Sequence, residues 1–131
     1  MNKKNFWAIC LLLLSITLTN TAYPKPYENI YHLVFVWLKD QGNEEQKAKL
    51  INMVNTFKKI PSVLDISAGD MIKSKRAIVD SSYDVGFVMQ YKSIEAMDSY
   101  LQHPLHKKAV EEVLSPLAKK VLVYDIGIQG D

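Results

Sequence analysis

"IYHLVFVWL", residues 30–38, is the stretch on which the fold turns. Its β-branched and aromatic content marks it as a strand. Its two alternating sets, Ile30, His32, Val34, Val36 and Leu38 against Tyr31, Leu33, Phe35 and Trp37, are apolar but for one histidine. A strand with one face in water alternates polar with apolar residues, so this one needs a cover on both faces.

Working outward, "KDQGNEEQ" (39–46) is polar and holds a helix start. Asn43 is the cap, Glu44 and Glu45 lie in the first turn, and Gln46 takes the capping-box position. Leu50, Met53, Val54, Phe57 and Ile60 recur at helical spacing before Pro61 stops the helix. "VLDISAGDMI" (63–72) reads as a second strand with a bulge at Gly69, and "DVGFVMQY" (84–91) as a third. Ser93 caps a second helix with Ile94, Met97 and Leu101 on its apolar face, and His103-Pro104 ends it. A further helical stretch runs from about Leu105 to Leu117, bent or restarted at Ser115-Pro116, and "KKVLVYDIGI" (119–128) is a last apolar strand. The order β-α-β-β-α-β is the split βαβ arrangement: an α+β, ferredoxin-like unit with a largely antiparallel sheet and helices on one face. No helix is left to cover the second face, and a homodimer packed sheet to sheet supplies one.

The N-terminal stretch lies outside this unit. Lys3 and Lys4 precede an apolar run from Phe6 to Leu18, and Ala22 precedes Tyr23-Pro24. This is the layout of a secretory signal peptide over residues 1–22, followed by a linker over 23–29 and the domain over 30–128. The apolar run falls short of the about 20 residues that span a bilayer, so no stable membrane association is expected after cleavage. The expected location is secreted or periplasmic. The full chain carries 16 basic and 14 acidic residues, and removing Lys3 and Lys4 with the leader brings the two into balance. A nucleic-acid binder shows a basic surplus, so nucleic acid is not an expected partner. The single cysteine, Cys10, goes with the leader, so no disulfide supports the domain.

"HPLH" (103–106) holds two of the three histidines. Pro104 interrupts the helix between them, and the nearest acids, Glu111 and Glu112, lie further along, so a metal site is poorly supplied with ligands. An imidazole at His106 facing an apolar interior would stay neutral and serve as a base, with the Tyr100 phenol across the turn polarising a carbonyl. In a purely structural reading His103 caps the last carbonyls of the second helix, His106 is satisfied by backbone, and Tyr100 packs in the core.

"YHLVFVWLKD", "EEQKAKL", "IPSV", "YDVGFVMQYKSIEAMDSYLQHPLHKKA" and "VLVYDI", in that order, resemble the stress-responsive A/B barrel domain (Dabb) family over about residues 31–126. The resemblance implies a dimeric α/β barrel of ferredoxin-like units. One plant member is a polyketide cyclase that closes a linear polyketide by aldol condensation without metal or cofactor. By that likeness His106 falls on the catalytic base, Tyr100 on its tyrosine partner, and His32 on a histidine lining the pocket. Val34, Val36, Leu50, Ile51, Val54, Phe87, Met89 and Leu101 fall on or near pocket-lining positions. The chain departs from the cyclase at Val85, where that enzyme has another pocket histidine, at Val54, where it has an aromatic residue, and in the charged "KKAVEEV" after His106. The expectation is an exported dimeric barrel holding an apolar small molecule, with no cofactor. The alternative is a cofactor-independent enzyme using His106 and Tyr100, either an aldol-type cyclase or a cofactor-free monooxygenase. A third is a structural dimer with a filled interior.

Overall fold

The computed structural model describes residues 26–130, so the leader reading over 1–22 falls outside the described residues. Four strands, β1 (Tyr27–Leu38), β2 (Asp65–Asp70), β3 (Val85–Tyr91) and β4 (Ala118–Gln129), form one antiparallel sheet in the order β2-β3-β1-β4. With the helices between them this is the ferredoxin-like α+β fold. β1 starts at Tyr27, three residues ahead of the sequence reading, and draws the end of the expected linker into the sheet.

Helix α1 (Glu44–Thr56) is capped by the Asn43 side chain, which accepts from the Gln46 backbone N–H at 3.0 Å. The expected capping box is only half made. The Asn43 N–H donates to the Asp40 carbonyl, and the Gln46 side-chain oxygen lies buried without a partner. Gly42, at φ 80°, supplies the left-handed turn before the cap. A 3₁₀ turn (Phe57–Lys59) ends the helix ahead of Pro61. Buried Asp84 ties the turn down, accepting from the N–H groups of Leu38 (2.8 Å) and Gly42 (2.7 Å).

The bulge expected at Gly69 is absent: β2 and β3 keep an unbroken register from Asp65↔Gln90 to Asp70↔Val85. The register shifts lie between β1 and β4 instead, at Tyr27/Asn29 and Trp37/Leu38. Helix α2 (Ile94–Gln102) has its Ser93 cap, but Ile94 is exposed, and the buried residue of its inner face is Tyr100. After His103, α3 (Pro104–Ala109) passes into a π-helical turn (Val110–Leu114) and a last helical turn (Ser115–Leu117) that holds Pro116. Pro116 has no N–H to give the preceding turn, which is where the ladder leaves α geometry.

Along β1 the even-numbered residues from Ile30 to Leu38 are buried beneath the helices. The odd-numbered set, Tyr31 to Trp37, faces the other side, where no helix lies. Register places Leu122, Tyr124, Ile126 and Ile128 of β4 and Val88 of β3 on that same open face. There Gly86 leaves room for the Tyr83 ring, which meets Phe35 edge-on at 4.9 Å. The core proper lies between sheet and helices, where Val36, Leu50, Val54, Met89 and Tyr91 are fully buried. Each such side chain stabilises the fold by about 1.5–3 kcal/mol.

Candidate functional site

The helices cover the sheet unevenly. Helix α1 lies across β2 and β3, and side chains interdigitate beneath it. Between the sheet and the inner faces of α1, α2, α3 and the π-helical turn a cavity of about 160 Å³ remains. His32, Val34, Phe87, Val121 and Val123 form its sheet wall. Met53 and Phe57, with Leu101, Val110 and Leu114, form its helix wall, and Tyr100 and His106 complete it. A space of this size accommodates about one aromatic ring.

Tyr100 and His106 meet because Pro104 turns the chain sharply between the helices that carry them. Their rings lie 4.4 Å apart, and both pack on Phe57. The His106 Nδ1 sits 3.1 Å from the Leu101 carbonyl oxygen, which can only accept. Nδ1 therefore carries the proton, and Nε2 keeps its lone pair free for the cavity. Burial holds the His106 pKa below its ordinary 6.5, the Leu101 bond opposes the shift, and the nearby His32 and Lys107 add to it. Burial likewise pushes the Tyr100 phenol upward, so it stays protonated as a donor. The buried Tyr91 phenol, raised chiefly by burial too, packs against Tyr100 with the two rings tilted by 41° and 5.3 Å apart.

His32 reaches the same cavity from β1, its ring 6.2 Å from that of Tyr100. Its Nδ1 donates to Asp125 Oδ1 of β4 at 2.6 Å, and the two residues are register partners. This fixes the ring and leaves Nε2 directed away from the carboxylate. Sequence reasoning missed Asp125. The available signal was a lone acid in the apolar strand "VLVYDIGI", opposite the one histidine of β1.

His103 plays a different part from the expected one. Its ring accepts from the Leu105 N–H at 3.2 Å and so caps the start of α3, while its backbone N–H donates to the Tyr100 carbonyl at the end of α2. The extended backbone imposed before Pro104 swings the ring forward instead of back. It is not part of the cavity wall.

Of the residues singled out from sequence, His32, Val34, Phe87, Tyr100, Leu101 and His106 come together around the cavity. Val36, Leu50, Val54 and Met89 do not; they are fully buried in the core, and half-buried Ile51 packs against it. Val36 and Met89 belong to the sheet and Leu50, Ile51 and Val54 to α1, and all of them pack in the filled core between the layers. Met53, Phe57, Val110, Leu114, Val121 and Val123 line the cavity unforeseen. Among the described residues no three His, Cys, Asp or Glu side chains cluster to hold a metal ion, and no helix is long and apolar enough to cross a membrane.

The profile of the stress-responsive A/B barrel domain (Dabb) matches residues 30–128. A stress-response A/B barrel domain-containing protein from Arabidopsis thaliana is 26% identical over 96 residues, which are 73% of this chain and 35% of that protein. The chain thus spans about a third of that relative's length. A Dabb protein with a ferredoxin-like fold from Mesorhizobium loti superposes with a TM-score of 0.64 at 25% identity, covering 78% of this chain and 98% of the other. The hydroxynitrile lyase of Passiflora edulis gives 0.68 at 18% identity, covering 81% and 98%. A dimeric ferredoxin-like protein of unknown function from Thermobifida fusca gives 0.63 at 17%, covering 83% and 97%. The last two likenesses concern the fold alone.

Proposed function

This chain belongs to the stress-responsive A/B barrel domain family, and on that footing we propose that it is an exported homodimer that holds a small apolar molecule in the cavity beside His106 and Tyr100. The observation that carries the reading is the composition of the cavity wall. Most of it is aliphatic or aromatic, and its polar groups, His32, Tyr100 and His106, gather at one side. An apolar pocket with a few convergent polar groups suits a ligand with a hydrocarbon body and one polar end. Dimerisation is supported by the apolar open sheet face and by relatives described as dimeric. Export is supported by the leader layout at the N-terminus, and an intact mass beginning near Tyr23 in protein from the native host tests it.

The second reading is proton-transfer catalysis, favoured by one feature: the free Nε2 of a neutral His106 next to a protonated phenol. In this reading Nε2 takes a proton from the carbon beside a carbonyl. The Tyr100 hydroxyl donates to the oxygen as enolate charge develops, which stabilises the demanding step. His32, held by Asp125, presents its other nitrogen to the same space.

Native mass spectrometry of the purified protein, with ligands extracted and identified, tests the first reading. A bound apolar molecule lost in Leu114→Trp, which fills the cavity, supports it; protein that is ligand-free in its native host sinks it. If the ligand is a carbonyl compound turned over by the wild type, His106→Ala should slow the reaction about 10²–10⁴-fold. Equal turnover would leave His106 a wall residue.

A further inference from the structure

Helix α1 borders two spaces, one on each side of a single side chain. Inside lies the cavity beside His106 and Tyr100. Outside, between α1 and the segment formed by α3 and the π-helical turn, runs a groove of about 380 Å³. Asn52 and Thr56 line it from α1, and Leu105, Ala109 and Val113 line it from the opposite segment. Met53 alone lines both the cavity and the groove. We propose that Met53 is a gate between them, and that the site takes an elongated ligand whose polar end lies at His106 and Tyr100 and whose hydrocarbon tail passes Met53 into the groove. The proposal rests on the reading of the cavity as a site for an apolar molecule, and adds the ligand's shape, its direction and its way in.

Helical spacing makes the partition thin at one point. On the far side, the groove residues Ala109 and Val113 stand next in sequence to the cavity residues Val110 and Leu114, so main chain divides the two spaces there. On α1, Met53 belongs at once to the inner stripe with Phe57 and to the outer stripe with Lys49 and Thr56. Main chain cannot step aside, but an unbranched thioether with three rotatable bonds can. Met53 is only 7% exposed, so the gate stands closed in the structure. The segment facing it is the π-helical turn, a rare winding that is frequent at functional sites.

Size and polarity give the direction. The cavity holds about one aromatic ring, so a longer ligand has to leave it. Its polar groups retain the polar end, and the groove offers an apolar path to the rest. At the groove's rim Lys108 and Glu112 pair with each other at 3.9 Å, and lysine stems can cover a hydrocarbon chain while their ammonium groups stay in water.

Binding of acetophenone, para-butylacetophenone and para-hexylacetophenone to the purified protein, measured by isothermal titration calorimetry, tests the proposal. All three carry the same ring and the same carbonyl, and only the chain differs. We expect the wild type to bind the hexyl compound about tenfold more tightly than acetophenone, less than full burial of the chain would give because the groove is open to water. Val113→Trp fills the groove from outside and should abolish that gain while binding acetophenone as the wild type does. In the wild type, nuclear Overhauser contacts from the terminal methyl of the hexyl chain should reach Leu105 and Val113. Contacts to Val34 and Phe87 instead, or a gain that Val113→Trp keeps, overturn the gate and leave the cavity reading standing. A wild type that binds acetophenone but gains nothing from the chain does the same. If no member of the series binds the wild type, the cavity reading fails and the gate with it. Should Val113→Trp not fold, the Overhauser contacts decide alone.

Discussion

Replacing Asp125 by alanine removes the acceptor of the His32 Nδ1–H, and the structure sets how much that should cost. The His32 side chain is only 10% exposed, so its N–H would be left nearly buried without a partner. An unsatisfied donor of that kind costs about 1–3 kcal/mol. The Asp125 side chain is 47% exposed, however, so water can follow into the space the carboxylate leaves. That argues for the low end, about 1 kcal/mol. Asparagine keeps an oxygen at the same place and loses only the charge, so Asp125→Asn should cost about half as much. The assay is urea unfolding at pH 7.5 and one fixed protein concentration, since subunit dissociation would otherwise enter the result. With a slope of about 2 kcal/mol/M the alanine variant should unfold roughly 0.5 M earlier. Ring ¹⁵N spectra should show His32 in a single Nδ1–H tautomer in the wild type and a mixture in the alanine variant. An alanine variant as stable as the wild type, or an asparagine variant as damaged as the alanine one, would refute the reasoning.

Asp84→Ala should be far more harmful, because two buried or part-buried N–H groups, of Leu38 and Gly42, lose a charged acceptor together. A loss of about 3–5 kcal/mol is expected from urea unfolding, and Asp84→Asn, with one acceptor oxygen for two donors, should recover little of it. His106 gives a pH signature. Its folded pKa lies below its ordinary 6.5, so the unfolded chain takes up the proton first as pH falls. The stability it supports is complete above pH 6.5 and is lost between 6.5 and the lowered folded value, levelling off beneath it. His106→Gln should lack this part of the slope, and identical pH-stability curves for variant and wild type would contradict the burial.

The parts of the fold that local chemistry dictates were legible. Asn43 and Ser93 cap their helices as their residue type requires, and the alternation in "IYHLVFVWL" shows that both faces of β1 need a cover. What the sequence hid depends on how layers lie on one another. Val36, Val54 and Met89 have the same apolar character as Val34 and Phe87, yet three fill the core and two face the cavity. Val36 shares β1 with Val34 and Met89 shares β3 with Phe87, so the difference lies in where the helix layer leaves space above each strand, which no single residue encodes. Gly69 shows the opposite error, since a glycine that could have formed a bulge sits in an unbroken ladder.

The same division runs through the candidate site and bears on what it can do. Tyr100 and His106 are six residues apart on either side of one proline, so their meeting follows from the local turn. His32 and Asp125 are separated by 93 positions and meet only because β1 and β4 pair in one register. Residue 85, where the resemblance implies a further histidine, is a fully buried valine. The polar complement therefore consists of an imidazole with a lowered pKa, a protonated phenol, and a second imidazole held by a carboxylate. Two imidazoles, each with its Nδ1 engaged elsewhere, thus flank one buried phenol at the polar side of the cavity. The carboxylate-held His32 is the one member tied to β4, the strand that also carries the cavity's exposed wall.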